Sequence, residues 1–431
     1  MSSPKPSHHR IAGLASFAGT TIEWYDFFLY GTAAALVFNK LFFPEMDPLS
    51  GLFAAFATYA VGFIGRPLGG IVFGHFGDKV GRKSMLILTL LLMGVPTVLI
   101  GLIPTYEHIG YWAAALLVSM RFLQGMAVGG EWGGAVLMAV EHAPEGRKGF
   151  YGSLPQAGVG AGLVLSTLAM AAVSTLPEED LLSWGWRLPF LASAVLLLVG
   201  WFIRIKVPES PDFESLKSSD RSQLTLIESS PLRVVLSQHR HAVLRIIGAR
   251  MAENAWFYLT ATFTLAYATG QLQLARADVL SGITAGAALS MVTIPLAGWL
   301  SDRIGQKWLY LIGLSLLALY VWPFFSLLNT RDLDQVWWAM VIALGIVFPL
   351  MYAPESLLFA RQFPAAVRYS GISLSVQIAG VLGGGLAPII ATALLAKGGG
   401  EPTYVIVYLL ILASLGLISA ASMASDRRST T

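Results

Sequence analysis

Apolar runs, most of them about 20 residues or more, recur along the whole sequence, at about 12–38, 52–75, 84–104, 110–140, 149–175, 187–206, 243–268, 279–300, 308–328, 336–360, 367–395 and 403–424. Each is long enough to cross a hydrocarbon layer about 30 Å thick. Lipid offers no hydrogen bonds to a bare backbone, so only helices and closed barrels span it. Continuous apolar runs without period-two alternation select helices. Composition agrees, with 55% of the 431 residues hydrophobic and 12% charged, against about 25% charged in an ordinary soluble domain. The expected fold is an all-α membrane protein of twelve transmembrane helices. The sequence contains no Cys, which excludes disulfides, thiolate nucleophiles and Cys-ligated zinc or iron–sulfur clusters.

The net charge of +3 would suggest a nucleic-acid surface if the basic residues were clustered, but they lie in loops. Most of the 28 Lys and Arg fall on one side of the alternating spans, among them Arg10, Lys79, Arg82, Lys83, Arg147, Lys148, Arg204, Lys206, Arg303, Lys307, Arg361 and Arg368. The other side receives Lys40, Arg276, Arg331 and Lys397, while Arg66, Arg121, Arg187 and Arg250 lie in or near spans. This asymmetry predicts cytoplasmic termini. Residues 1–10 are polar and lead directly into a long apolar run, so no cleavable signal is expected. The longest polar stretch, 208–241, divides the chain into an N-terminal bundle, 1–207, and a C-terminal bundle, 242–431. Its mixed charges predict a solvated cytoplasmic linker.

The two halves share a motif. Gly74-His-Phe-Gly-Asp78-Lys79-Val-Gly81-Arg82-Lys83 follows the second span, and Gly298-Trp-Leu-Ser-Asp302-Arg303-Ile-Gly305-Gln306-Lys307 follows the eighth. Parallel repeats of this kind place a solute site between the halves near the bilayer midplane. The motif resembles the signature of the major facilitator superfamily. Glu23-Trp-Tyr-Asp26-Phe, Arg66-Pro-Leu-Gly-Gly70, Gln124-Gly-x-x-x-Gly129-Gly-Glu131-Trp-Gly-Gly134, Ser183-Trp-Gly-Trp-Arg187 and Val367-Arg-Tyr-Ser-Gly371 narrow the resemblance to its metabolite:proton symporter family, most similar to bacterial shikimate transporters. The resemblance implies two six-helix bundles, alternating access and residence in the bacterial cytoplasmic membrane.

Glu23 and Asp26 lie one helical turn apart in the first span, with Tyr30 on the same face. Carboxylates at that depth turn inward and mark ion or proton paths. They are the expected proton carriers, Asp26 before Glu23, and the resemblance supports a coupling role for first-span acids. Arg121 in the fourth span needs an anion, for which Asp26, Glu23 and Glu131 are candidates. A small carboxylate substrate calls for a guanidinium fork, which Arg66 or Arg250 would provide, with Glu253 and Asn254 one turn beyond Arg250. Gln124, Gln156, Gln377, Tyr30, Tyr59 and Tyr258 are the polar candidates for the cavity wall, and Trp24 and Trp256 the candidates for stacking on a ring. Glu355, acidic in the tenth span, departs from the resemblance.

The repeated loops read as gates. Asp78 is placed to meet Arg82 and the N-terminus of the eleventh helix near Arg368, where the helix dipole favours an anion, with Lys83 alongside. Asp302 and Arg303 are expected to act likewise against the fifth helix near Arg147. Gln306 replaces the basic residue of the first copy, predicting a weaker second lock. Gly77 to Ser84 lacks phosphate-loop spacing and Gly158 to Gly162 lies inside an apolar run, so neither nucleotide motif holds. Enzyme activity is not expected. The sequence reads as a proton symporter importing a small organic acid, shikimate or a related cyclic carboxylate. It would act as a monomer in the lipid bilayer, with protons as the coupling ion and neither a cofactor nor a metal. Alternatives are symport of a di- or tricarboxylate or a zwitterionic osmolyte, and proton-antiporting export.

Overall fold

The structure is a computed structural model describing residues 8–218 and 230–424, and among these no residue lies in a strand. Twelve long helical runs follow one another, labelled α1 to α12. The first six are α1 (His8–Ala33, continuing to Phe42), α2 (Pro48–Lys79), α3 (Arg82–Leu102), α4 (Tyr111–His142), α5 (Lys148–Val173) and α6 (Arg187–Lys206). The second six are α7 (Arg240–Tyr258, continuing to Gly270), α8 (Arg276–Ile304), α9 (Gln306–Asn329), α10 (Leu333–Ala360), α11 (Arg368–Ala379, continuing to Lys397) and α12 (Thr403–Ala421). Among the described residues nine helices are long and apolar enough to cross a membrane, corresponding to α3–α6 and α8–α12. The other three carry Glu23 and Asp26, Arg66, and Arg250 with Glu253.

Position in the bundle follows from what each helix can afford to show. Every third helix, α3, α6, α9 and α12, turns large apolar side chains outward, for example Leu99, Leu198, Leu319 and Ile418, as a lipid-facing surface requires. Helices α1, α2, α4, α5, α7, α10 and α11 approach the centre. Small residues bring backbones together there. A methyl group on Gly65 or Gly69 of α2 would strike the backbone of α4 at Phe122 or Met126, and one on Gly125 or Gly129 of α4 would strike that of α2 at Gly62 or Arg66. Gly158 and Gly162 of α5 lie on the backbone of α1 in the same way.

Pro67, Pro96, Pro155 and Pro295 sit inside helices, and Pro388 starts the segment after a wide turn in α11. Helices α1, α7, α10 and α11 each contain a π-helical stretch, at Ala34–Phe38, Leu259–Phe263, Ala343–Val347 and Gly380–Gly385. Such stretches open the backbone ladder and are frequent at functional sites. The halves meet along α2 with α11 and along α5 with α8. In both repeated loops the glycine before the next helix has positive φ, +129° at Gly81 and +95° at Gly305, a conformation that residues with a Cβ avoid. The face carrying these loops is the gate face.

The stretch expected to be a solvated linker is only partly so. Pro211–Ser218 and Pro231–Gln238 are helical, and Ser210, Phe213, Val234 and Val235 are buried. Residues 219–229, with Asp220 and Arg221, lie outside the described part. The amphipathic spacing of Phe213 and Leu216 packs this segment against the gate face.

Candidate functional site

A cavity lies between the halves at mid-height. Its charged lining is Glu23 and Arg66 from the N-terminal half and Arg250 and Glu253 from the C-terminal half. Asn254, Tyr258 and Gln377 line it as expected, and Trp24, Trp132, Phe257, Phe348 and Tyr352 form aromatic walls.

The two arginines differ in their partners. Arg250 pairs with Glu355 of α10, and its guanidinium stands 4.5 Å over the Trp132 ring. The Tyr310 hydroxyl lies 3.2 Å from Glu355 and 3.0 Å from the Ala249 carbonyl. Glu253, one turn beyond Arg250 on the same helix, is not its ion-pair partner, because α10 delivers Glu355 to that position. Arg66 meets no carboxylate at ion-pair distance among the described residues. Its guanidinium instead rests over Phe63 and Phe27, at 4.5 and 4.9 Å, with Nη1 3.5 Å from the Tyr258 hydroxyl across the interface. Glu23 and Glu253 are both buried, and each keeps one carboxylate oxygen without a hydrogen-bond partner.

Other expected residues support the cavity from behind. Gln156 accepts from Trp132 Nε1 at 2.8 Å and donates to the Tyr352 carbonyl at 2.8 Å, so it orients two aromatic walls from opposite halves. Gln377 donates to the Gly129 carbonyl at 3.2 Å. Asp26 does not line the cavity. It faces the interior of the N-terminal half, where the hydroxyls of Thr97 and Ser193 approach within 2.6 and 3.0 Å. Gln124 donates to Thr97 at 2.7 Å and accepts from Arg121 at 3.3 Å, so Arg121 joins this network through Gln124. Tyr30 lies behind it, its hydroxyl 2.6 Å from Thr58 and its ring under Arg121. The side chain of Tyr59 is outside the described residues.

Three expectations need correction. Glu131 pairs not with Arg121 but with Arg204, which charge counting had placed in a loop. The long arginine side chain lets a residue at the end of α6 reach inward, and Arg204 is 3% exposed. Trp256 is not a stacking platform, because it is wholly buried against Phe324 and donates to the Ala343 carbonyl at 3.1 Å. Arg147 and Arg303 are exposed, and neither reaches Asp302 at ion-pair distance; Arg303 stacks on Trp299 at 3.7 Å. Sequence reasoning missed Tyr352 and Arg204. Tyr352 precedes Glu355 by three residues on one helix face, a spacing that offered a signal.

The gates are built as mirror roles on the two halves. Asp78 accepts from the backbone N–H groups of Tyr369 and Ser370, at 3.1 and 2.9 Å, at the start of α11. Asp302 accepts from those of Gly149 and Phe150, at 2.6 and 2.9 Å, at the start of α5. Arg82 lies 3.6 Å from Asp78 and 3.7 Å from Glu141, and Glu141 pairs with Arg368 at 2.8 Å. Lys83 donates to the Ile205 carbonyl within its own half at 2.7 Å. In the second gate Gln306 stands where Arg82 stands in the first, and it accepts from Arg361 at 3.0 Å. The post-α6 segment is fastened to the first gate: Glu209 accepts from the N–H groups of Arg82 and Lys83, Ser210 donates to Glu141, and Asp212 pairs with Arg368 at 2.7 Å.

Comparison with known proteins agrees with this architecture. The family model described as Major Facilitator Superfamily matches residues 16–388 and 246–429. The chain is 42% identical over 424 residues to the shikimate transporter of Escherichia coli (strain K12), covering 98% of this chain and 96% of that one. It is 34% identical to the glycine betaine/proline/ectoine/pipecolic acid transporter OusA of Dickeya dadantii (strain 3937), covering 96% and 83%. Among solved structures, the proton:xylose symporter XylE bound to 6-bromo-6-deoxy-D-glucose superposes with a TM-score of 0.73 at 15% identity, covering 96% of this chain and 95% of that one. With the paired gates and the cavity between halves, these matches establish that the chain belongs to the major facilitator superfamily and is a membrane transporter, not an enzyme.

Proposed function

We propose that the chain is a proton-coupled importer of a small organic acid, shikimate or a related cyclic carboxylate. In this reading it works as a monomer in the bacterial cytoplasmic membrane, with both termini and the gate face on the cytoplasmic side and with no cofactor. The supporting observation is Arg66, a buried cation in the cavity without a carboxylate at ion-pair distance among the described residues. Leaving a guanidinium unpaired in a low-dielectric site is costly. A substrate carboxylate supplies the missing anion and matches the guanidinium fork. Trp24 and Trp132 offer faces for a ring, and Asn254, Tyr258 and Gln377 offer partners for hydroxyls.

Charge balance supplies the coupling. Arg250 and Glu355 cancel each other, leaving Arg66 with Glu23 and Glu253. Without substrate, an ionised Glu23 balances Arg66 across the cavity. When the substrate anion takes that role, a charged Glu23 would oppose it, so substrate binding and protonation of Glu23 favour each other. The bundles then exchange access around the occupied cavity as the gates on one face release.

Uptake of radiolabelled shikimate into proteoliposomes tests this. An alkaline interior should raise initial uptake and drive accumulation above equilibration; an initial rate indifferent to the gradient overturns symport. A second reading rests on Glu253: its free oxygen and the aromatic walls also suit a zwitterion carrying a quaternary ammonium. Stronger competition by glycine betaine than by cyclic carboxylates would select that reading.

A further inference from the structure

We propose that Glu131 and Arg204, with the crevice beside them, form a route by which the proton leaves Glu23 through the interior of the N-terminal bundle, apart from the path the substrate takes between the bundles. This rests on the symport reading and assigns a place for proton release that the cavity itself does not supply.

The route follows one face of α1. Glu23 lines the cavity. One turn closer to the gate face is Gly19, whose missing side chain leaves room for the Arg204 guanidinium; a Cβ there would also come within 3.0 Å of a Glu131 carboxylate oxygen. On the same stretch of α1, beside Gly158 of α5, Thr20 holds a buried hydroxyl without a hydrogen-bond partner. Glu131 is fully buried, pairs with Arg204 and receives Thr89 Oγ1 at 2.7 Å. A further turn along, a crevice is lined by Ser16, Leu86, Met138, Arg204 and Lys83. Lys83 carries its ammonium at the exposed end of that crevice and donates to the Ile205 carbonyl. From Glu23 at the cavity between the halves, the ion pair and the crevice therefore follow one another within the N-terminal half, while Asp78 holds the gate between halves shut.

The charged and titratable groups around Glu131 are Arg204 from α6, Glu23 from α1 and Tyr369 from α11, while Arg66 from α2 faces Glu23. In the transfer, the Glu23 carboxyl gives its proton to the Glu131 carboxylate through the Thr20 hydroxyl or a water beside it. Glu131 then gives a proton to water entering from the crevice alongside Arg204, the residue common to the ion pair and the crevice lining, and pairs again with that guanidinium, which stays protonated throughout. One proton thus passes from the cavity to the gate face, and Glu23 is left ionised to balance Arg66 once the substrate has gone.

The test is transport by E131Q and by the charge-balanced pair E131Q/R204M in proteoliposomes. Gradient-driven accumulation, substrate-linked proton entry read by an internal dye, and substrate exchange at equal pH are measured together. A gradient of about one pH unit sustains about tenfold accumulation per coupled proton. Both variants should fall to equilibration and lose the dye signal while still exchanging substrate, because exchange needs no proton release; a structural role alone would not separate these readouts. If E131Q does not fold, the double variant decides, since removing both charges leaves no buried orphan. Accumulation and proton entry at wild-type levels in the double variant overturn the route. Wild-type protein whose uptake ignores the gradient overturns the symport reading and the route with it.

Discussion

Arg66 and Arg250 share a residue type and a cavity, yet their surroundings give them different work. Arg250 is held by Glu355 and steadied by Trp132, whereas Arg66 rests on aromatic rings and faces the space a solute would fill. A lysine keeps the charge of Arg66 but not its planar fork. R66K should therefore raise KM for a carboxylate substrate by about 10- to 100-fold, the value of a charged hydrogen bond, with folding intact, as measured by uptake kinetics and thermal melting in detergent. E355Q should instead act on stability. Removing one member of a buried pair costs about 3–5 kcal/mol, so the melting temperature of the purified protein should fall, and E355Q/R250M should recover much of the loss. Sequence reading found both arginines and left the choice of partner open. It could not see that α10 would bring Glu355 to Arg250, because that contact joins residues 105 positions apart.

At the scale of elements, the two repeated loops were legible because the requirement they meet is local. Gly81 and Gly305 need positive φ, and Asp78 and Asp302 each accept two N–H groups at a helix start. The end of Arg204 was not legible, since a basic residue at the edge of an apolar run reads as a loop anchor until its side chain is seen turning inward. G81A should destabilise the protein by about 1–3 kcal/mol through backbone strain, aggravated because its Cβ would strike Glu209; chemical denaturation checks this. D78N should weaken the first gate by removing a charge from the start of α11. Spin labels at the exposed positions Val80 and Arg361 should show the gate face opening further in D78N than in D302N, because Arg82, Glu141 and Arg368 are organised around Asp78. Equal opening would remove the difference in strength between the two gates.

On the scale of the whole molecule, the order of helices from lipid to centre follows from composition: the runs with the fewest polar residues face lipid, and those interrupted by Glu23, Arg66, Arg250 and Glu253 come together in the middle. The spans were readable for that reason, but the contacts between helices were not, because glycines that permit close approach do not name their partner. The segment after α6 is the clearest case. Glu209, Ser210 and Asp212 belong by position to the join between halves, yet they are stitched to Arg82, Glu141 and Arg368. A transporter assembled from two separately expressed pieces should thus depend on where the chain is cut. Cut after Ser218, the first fragment reaches the second from this segment through Asp212 and Arg368; cut at Val207, Glu209 and Ser210 travel with the second fragment and reach back to Arg82, Lys83 and Glu141 of the first, so the later break should leave the weaker adhesion and the poorer reconstitution.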